Sequence, residues 1–167
     1  DSRIRAALIS IEYVLSNGAS LVLMSHLGIP NGKQYGQYSL APCAKRLSEL
    51  LKKPVQMATD CIGPETEKIA SQLLPGQVLL LENLRFHAGE EAPDQDPSFP
   101  KQLARLGTCY VNDAFGTAHR AHASTAAIAS YFPHQAAMGF LMEKEIEALS
   151  PLLHNPKRPF YAIIGGA

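Results

Sequence analysis

The chain has 167 residues, 46% of them hydrophobic and 18% charged, and its formal net charge is zero. That is one domain of ordinary size with a proper core, not a disordered chain, and with no global field to attract nucleic acid or an acidic membrane, any anion site must be a local cluster. No apolar run reaches the ~18 residues that cross a bilayer, and no apolar signal segment follows Asp1-Ser2-Arg3-Ile4-Arg5, so the expected location is cytoplasmic.

Along the chain, helical and strand patterns alternate. Ile4, Ala7, Leu8, Ile11 and Leu15 recur at three- and four-residue spacing and predict an amphipathic helix over residues 3–15, ended by Asn17-Gly18. Residues 21–24, Leu-Val-Leu-Met, read as a strand buried on both faces. Ser39 is placed to cap a helix whose apolar face is Leu40, Cys43, Ala44, Leu47, Leu50 and Leu51. A short strand is expected over 55–57, and a helix over 64–74 with Pro64 in its first turn. A second buried strand follows over 78–81, then a helix over 99–106 and a strand over 109–111. Helices over 124–131 and 143–153 flank a break at residues 133–139, and residues 160–164 form a last strand running into Gly165-Gly166. Short apolar strands alternating with helices predict an α/β fold with a mainly parallel sheet and right-handed connections. Cys43, Cys61 and Cys109 form no CxxC pair and read as reduced thiols.

The strands are nearly all apolar, whereas the segments that follow them are polar. Ser25-His26-Leu27-Gly28-Ile29 follows the first, Glu82-Asn83-Leu84-Arg85-Phe86-His87 the second, and a run from Asn112 to His122 the third. In an open parallel sheet, ligands bind at the carboxyl ends of the strands. His26, Arg85, His119, Arg120 and His122 should therefore gather on one rim, with Arg3 able to join them. Arginine carries a permanent charge and a planar fork of donors suited to phosphate or carboxylate. Three potential cations within residues 119–122 repel one another, which a fold alone does not require. The pattern suits a small anionic metabolite better than nucleic acid, since it has no basic stripe with interleaved aromatics.

These stretches, with Leu141-Met142-Glu143-Lys144-Glu145 and Ile164-Gly165-Gly166-Ala167, resemble the phosphoglycerate kinase family in order and spacing over the whole chain. The run from Val111 to His122 is the most specific of them. The resemblance implies the three-layer α/β N-terminal domain of that family, which binds 3-phosphoglycerate or 1,3-bisphosphoglycerate, over residues 1–140. It implies an interdomain helix over 141–157 and the first strand of a nucleotide domain over 158–167. The substrate patch carried over is Arg3, His26, Arg85 and Arg120, with Leu27, Gly28 and Ile29 in the loop and His119 and His122 beside it. Gly165 and Gly166 would border the site for Mg-ATP or Mg-ADP. That site belongs to the second domain, so no metal site is expected in these residues. The family implies a cytoplasmic, monomeric glycolytic enzyme.

The departures are specific. The family loop reads His-Leu-Gly-Arg-Pro, and Ile29 stands where that Arg belongs; Ile9-Ser10 stands where Pro-Thr is usual. The family's first strand, which supplies an Asp and an Asn to the substrate, would precede Asp1, and its catalytic Lys would follow Ala167. The chain is accordingly expected to be inactive alone. The alternatives are a non-catalytic module that binds phosphoglycerate and a folding fragment that binds nothing.

Overall fold

In the computed structural model, which describes residues 1–163 and 165, the apolar periodicity becomes helices on both faces of parallel strands. The order is α1 (Ser2–Ser16), β1 (Leu21–Leu23), α2 (Ala41–Leu51), β2 (Val55–Met57), α3 (Pro64–Ser71), β3 (Val78–Leu80), α4 (Ser98–Ala104), β4 (Tyr110–Asn112), β5 (Ala136–Met138) and α5 (Phe140–His154). β3 is the central strand of a three-stranded sheet, parallel to β1 on one side and β2 on the other, with Leu79 opposite both Val22 and Gln56. β4 and β5 form a separate parallel pair, in register from Tyr110 opposite Ala136.

Alternation along β3 divides the core. Leu80 packs with Leu40 and Ala44 of the α2 segment. Leu79 and Leu81 point the other way, into a larger cluster with Phe99, Leu103, Tyr110, Ile128 and Phe132, against which Ile69 and Ala70 of α3 also pack. Successive side chains on a strand face opposite ways, so β3 alone requires apolar cover on both faces, and three layers result. On the α2 side, α1 packs against both α2 and α5.

Several expectations shift. The parallel strands form two sheets rather than one. β1 is only half-buried, while β3 is fully buried, because β3 alone has a partner strand on each side. Leu40 occupies the cap position of α2, yet Ser39 still serves it: its hydroxyl accepts the Ala41 N–H at 3.2 Å. The helix expected over 124–131 is a 3-10 turn, Ala127–Tyr131. β5 lies inside what reads as a break, since Ala-Ala-Met carries no β-branched signal and all three residues are exposed. α5 begins three residues before Glu143, so the division drawn between 140 and 141 falls within its first turn. Residues 160–163 pair with nothing among the described residues and form no strand there; residues 164, 166 and 167, including Gly166, lie outside the described residues.

Candidate anion-binding site

The segment after β3 is the organising element. Glu82 accepts the Leu40 and Asn83 N–H groups through Oε1, each at 2.8 Å, and the Ser39 hydroxyl through Oε2 at 2.7 Å. Asn83, wholly buried, donates to the carbonyls of Leu27 (2.8 Å) and Tyr38 (2.9 Å) and accepts the Arg85 N–H at 3.1 Å. Arg85 donates from Nη1 to the Gly28 carbonyl at 2.9 Å. The loop carrying His26, Leu27, Gly28 and Ile29 is thus stitched to the β3 exit at several points. Gly28 has φ of 65°, and a Cβ there would strike the Tyr38 ring, so the close approach needs glycine.

Arg85 is 7% exposed. Its Nε lies 3.3 Å from a Glu91 carboxylate oxygen, out of alignment for a hydrogen bond, and is without a hydrogen-bond partner. A buried, unspent guanidinium donor is costly unless something else receives it. An open cleft of ≈ 600 Å³ separates residues 91–95 from His119, Arg120 and His122.

Charge brings the sequence candidates together. His26 is pushed down to about 4, first by burial and then by the charges of Arg85, His122 and Arg120, with Glu91 opposing. His122 is lowered in the same way, by burial, then Arg85, with Arg120 and His119 contributing. Both imidazoles are thus held neutral between two guanidiniums. An arriving dianion would reverse that penalty, since an opposite charge favours imidazolium. Leu27 and Ile29 are exposed, Ile29 at 66%. Arg3 is also exposed, in the first turn of α1.

A pH experiment follows. A histidine whose folded value is depressed costs nothing above the unfolded value near 6.5 and removes stability as pH falls from there towards about 4. The His26 ring resonance is expected to titrate near pH 4 by NMR, and His26→Gln should flatten the acid limb of the stability curve. A His26 midpoint near 6.5 would contradict the burial and charge placement.

Asp113 has a role that its neighbours in sequence conceal. Its Oδ1 accepts the Leu141 N–H at 2.9 Å and the Met142 N–H at 3.1 Å, and the Phe140 N–H goes to the Ser10 hydroxyl at 3.0 Å. Residues of β4's exit and of α1 together satisfy the first donors of α5. A Cβ at Gly139 would collide with the Asp113 carboxylate. This also accounts for position 10, where either Ser or the family's Thr offers the needed hydroxyl.

Sequence reasoning missed Glu82, Asn83 and Glu90. Their signal was available, as polar residues set against an apolar strand, but their partners lie tens of residues away. One further cluster, Asp60, Cys61 and His87, brings three potential ligand atoms within 4.8 Å. The Asp60 carboxylate is already engaged by the Cys61 N–H (2.6 Å) and His87 Nε2 (2.7 Å). Burial and Asp60 push the Cys61 thiol up, away from thiolate. A thiol and an imidazole are the wrong donors for Mg, which takes oxygen, so this cluster does not fit a Mg-nucleotide.

The model of the family described as phosphoglycerate kinase matches residues 1–167. The chain belongs to the phosphoglycerate kinase family. It is 58% identical over 167 residues to the phosphoglycerate kinase of Moorella thermoacetica, covering 100% of this chain and 42% of that protein. It is 57% identical over 167 residues to that of Borrelia hermsii, with 42% of the relative covered. Among solved structures, phosphoglycerate kinase from Pyrococcus horikoshii superposes with a TM-score of 0.82 at 36% identity, over 95% of this chain and 40% of that one. The Coxiella burnetii phosphoglycerate kinase gives 0.79 at 39% identity, over 95% and 39%. The chain thus spans about two fifths of the length of the phosphoglycerate kinases it matches. No helix among the described residues is long and apolar enough to cross a membrane.

Proposed function

We propose that this chain forms the phosphoglycerate-binding part of a phosphoglycerate kinase, the enzyme that moves a phosphoryl group reversibly between 1,3-bisphosphoglycerate and ADP. The observation that carries the reading is Arg85: buried at the exit of the central strand, its Nε donor unspent, with His26 and His122 within its field and that of Arg120. Two permanently charged guanidiniums and two neutral imidazoles suit a phosphorylated carboxylic acid, each imidazole gaining a proton as the anion arrives. In phosphoryl transfer the protein mainly positions substrates and neutralises charge, and this cluster supplies the acceptor's half of that task. The family resemblance assigns the nucleotide and its Mg to a second domain rather than to this cluster. Titration of the purified protein with 3-phosphoglycerate, followed by calorimetry, tests the reading; absence of saturable binding at low salt overturns it.

Two expected results accompany it. Ile29→Arg should tighten 3-phosphoglycerate binding about tenfold or more, the value of one charge-assisted contact. Ile29 is exposed on the loop that Asn83 and Arg85 hold, so a longer side chain meets no core. The gain should shrink as salt rises, and equal affinities at low salt would show that the side chain cannot reach the anion. Second, the 167-residue chain alone should show no turnover with Mg-ATP and 3-phosphoglycerate in a coupled assay, because its sequence holds no GxxxxGK[ST] loop and the described residues hold no oxygen-ligand cluster for Mg. Turnover that Arg120→Ala abolishes would disprove this.

A further inference from the structure

Glu90 is 1% exposed. A carboxylate is not taken out of water without strong partners, and here those partners lie on a different segment. Oε2 accepts the Ser124 N–H at 3.1 Å and Oε1 accepts the Ser124 hydroxyl at 2.6 Å. The Glu90 backbone carbonyl accepts the Ala123 N–H at 2.9 Å. His122 Nδ1 stands 3.8 Å from Oε1, beyond hydrogen-bond range. The Thr125 hydroxyl extends the arrangement back to the Arg120 carbonyl at 3.0 Å. On its own side, Glu90 lies five residues beyond Arg85, in the 3-10 turn Ala88–Glu90.

We propose that Glu90 is a positioning residue for the anion site: by tying Ala123 and Ser124 to the Arg85 segment, it holds Arg120 and His122 across the cleft from Glu91, the carboxylate paired with Arg85. The proposal rests on the phosphoglycerate-binding reading for its consequence on affinity, but not for the geometry. Arg120 itself is exposed, so its side chain keeps its rotamers and the backbone beneath it is what a tether can hold. An apolar residue at position 90 would fill the same space but leave the Ser124 N–H and hydroxyl without their acceptor. What it cannot do is grip Ser124 by both the N–H and the hydroxyl. Burial raises Glu90 to about 7, with Glu91 pushing the same way, while Ser124 and Arg85 pull towards the ionised form that accepts both bonds.

The test compares Glu90→Ala with Glu90→Gln in the full-length polypeptide. Gln can accept the Ser124 N–H and donate to the hydroxyl, so it keeps the tether without the charge. The first readout is tryptic cleavage after Arg120 against cleavage after the exposed Arg105; the second is 3-phosphoglycerate affinity. Glu90→Ala should speed cleavage at Arg120 about tenfold or more with Arg105 unchanged, and weaken binding by a similar factor, as expected for losing a charge-assisted pair. Glu90→Gln should stay within about threefold of the parent in both. If Glu90→Ala shows no thermal transition, Ser124→Ala, which removes only the hydroxyl, should still raise Arg120 cleavage selectively. Unchanged cleavage at Arg120 in a folded variant, or a Gln variant as damaged as the Ala one, overturns the proposal. If the parent protein fails to bind 3-phosphoglycerate, the binding reading fails while the cleavage comparison still decides the role of Glu90.

Discussion

Arg85→Ala is expected to weaken 3-phosphoglycerate binding roughly a hundredfold, since truncating one member of a buried charged contact costs ~2–5 kcal/mol. Two effects add. The guanidinium donors are lost, and so is the hydrogen bond that ties Gly28, hence the His26 loop, to the β3 exit. The same substitution should move the His26 and His122 titrations towards their ordinary range, because Arg85 is the largest charge depressing each. Burial remains the leading cause in both, so the shift should be partial. Arg85→Lys should recover part of the affinity but not all of it: an ammonium restores charge without the planar fork. Calorimetry and ring-proton NMR on the variants check both statements. Affinity within threefold of the parent would remove Arg85 from the site.

How far the sequence foretold this site differs from residue to residue. The short apolar runs placed β1, β2, β3 and β4 within a residue or two, although only β3 is buried along its whole length. The rim was equally legible: polar residues directly after apolar strands collect at carboxyl ends in any parallel sheet. What stayed hidden depends on partners distant in sequence. Asp113 looks like a local turn cap, yet its carboxylate serves Leu141 and Met142. Glu90 looks like one more surface acid in a charged stretch, yet it is buried against Ser124. β5 went unseen because Ala-Ala-Met becomes a strand only through pairing with β4.

Asn83→Ala is expected to be the most destabilising of the site substitutions, by ~3 kcal/mol or more. Three groups lose their partner at once: the Leu27 carbonyl, the Tyr38 carbonyl and the Arg85 N–H. Each stranded buried group costs ~1–3 kcal/mol. For a domain of this size such a loss corresponds to a fall in Tm of roughly 6–12 °C, measurable by calorimetry. Asn83→Asp discriminates the cause. It preserves shape and the acceptor for Arg85 but turns the donor into a negative oxygen facing two carbonyls, so it should be as damaging as Ala. An Asp variant with the parent's Tm would show that the two carbonyls have other partners.

The segment from Asp113 to Ser124 is a span clamped at both ends, by Asp113 to α5 and by Ser124 to Glu90. Displacement along such a span is smallest at the clamps and crests between them, and the exposed residues 118–120 stand nearer the crest than either support. The clamps are fixed to different bodies: one to the first turn of a 15-residue helix, the other to the stretch that bears Arg85. The stretch that bears Arg120 therefore links the first turn of α5 to the segment that bears Arg85.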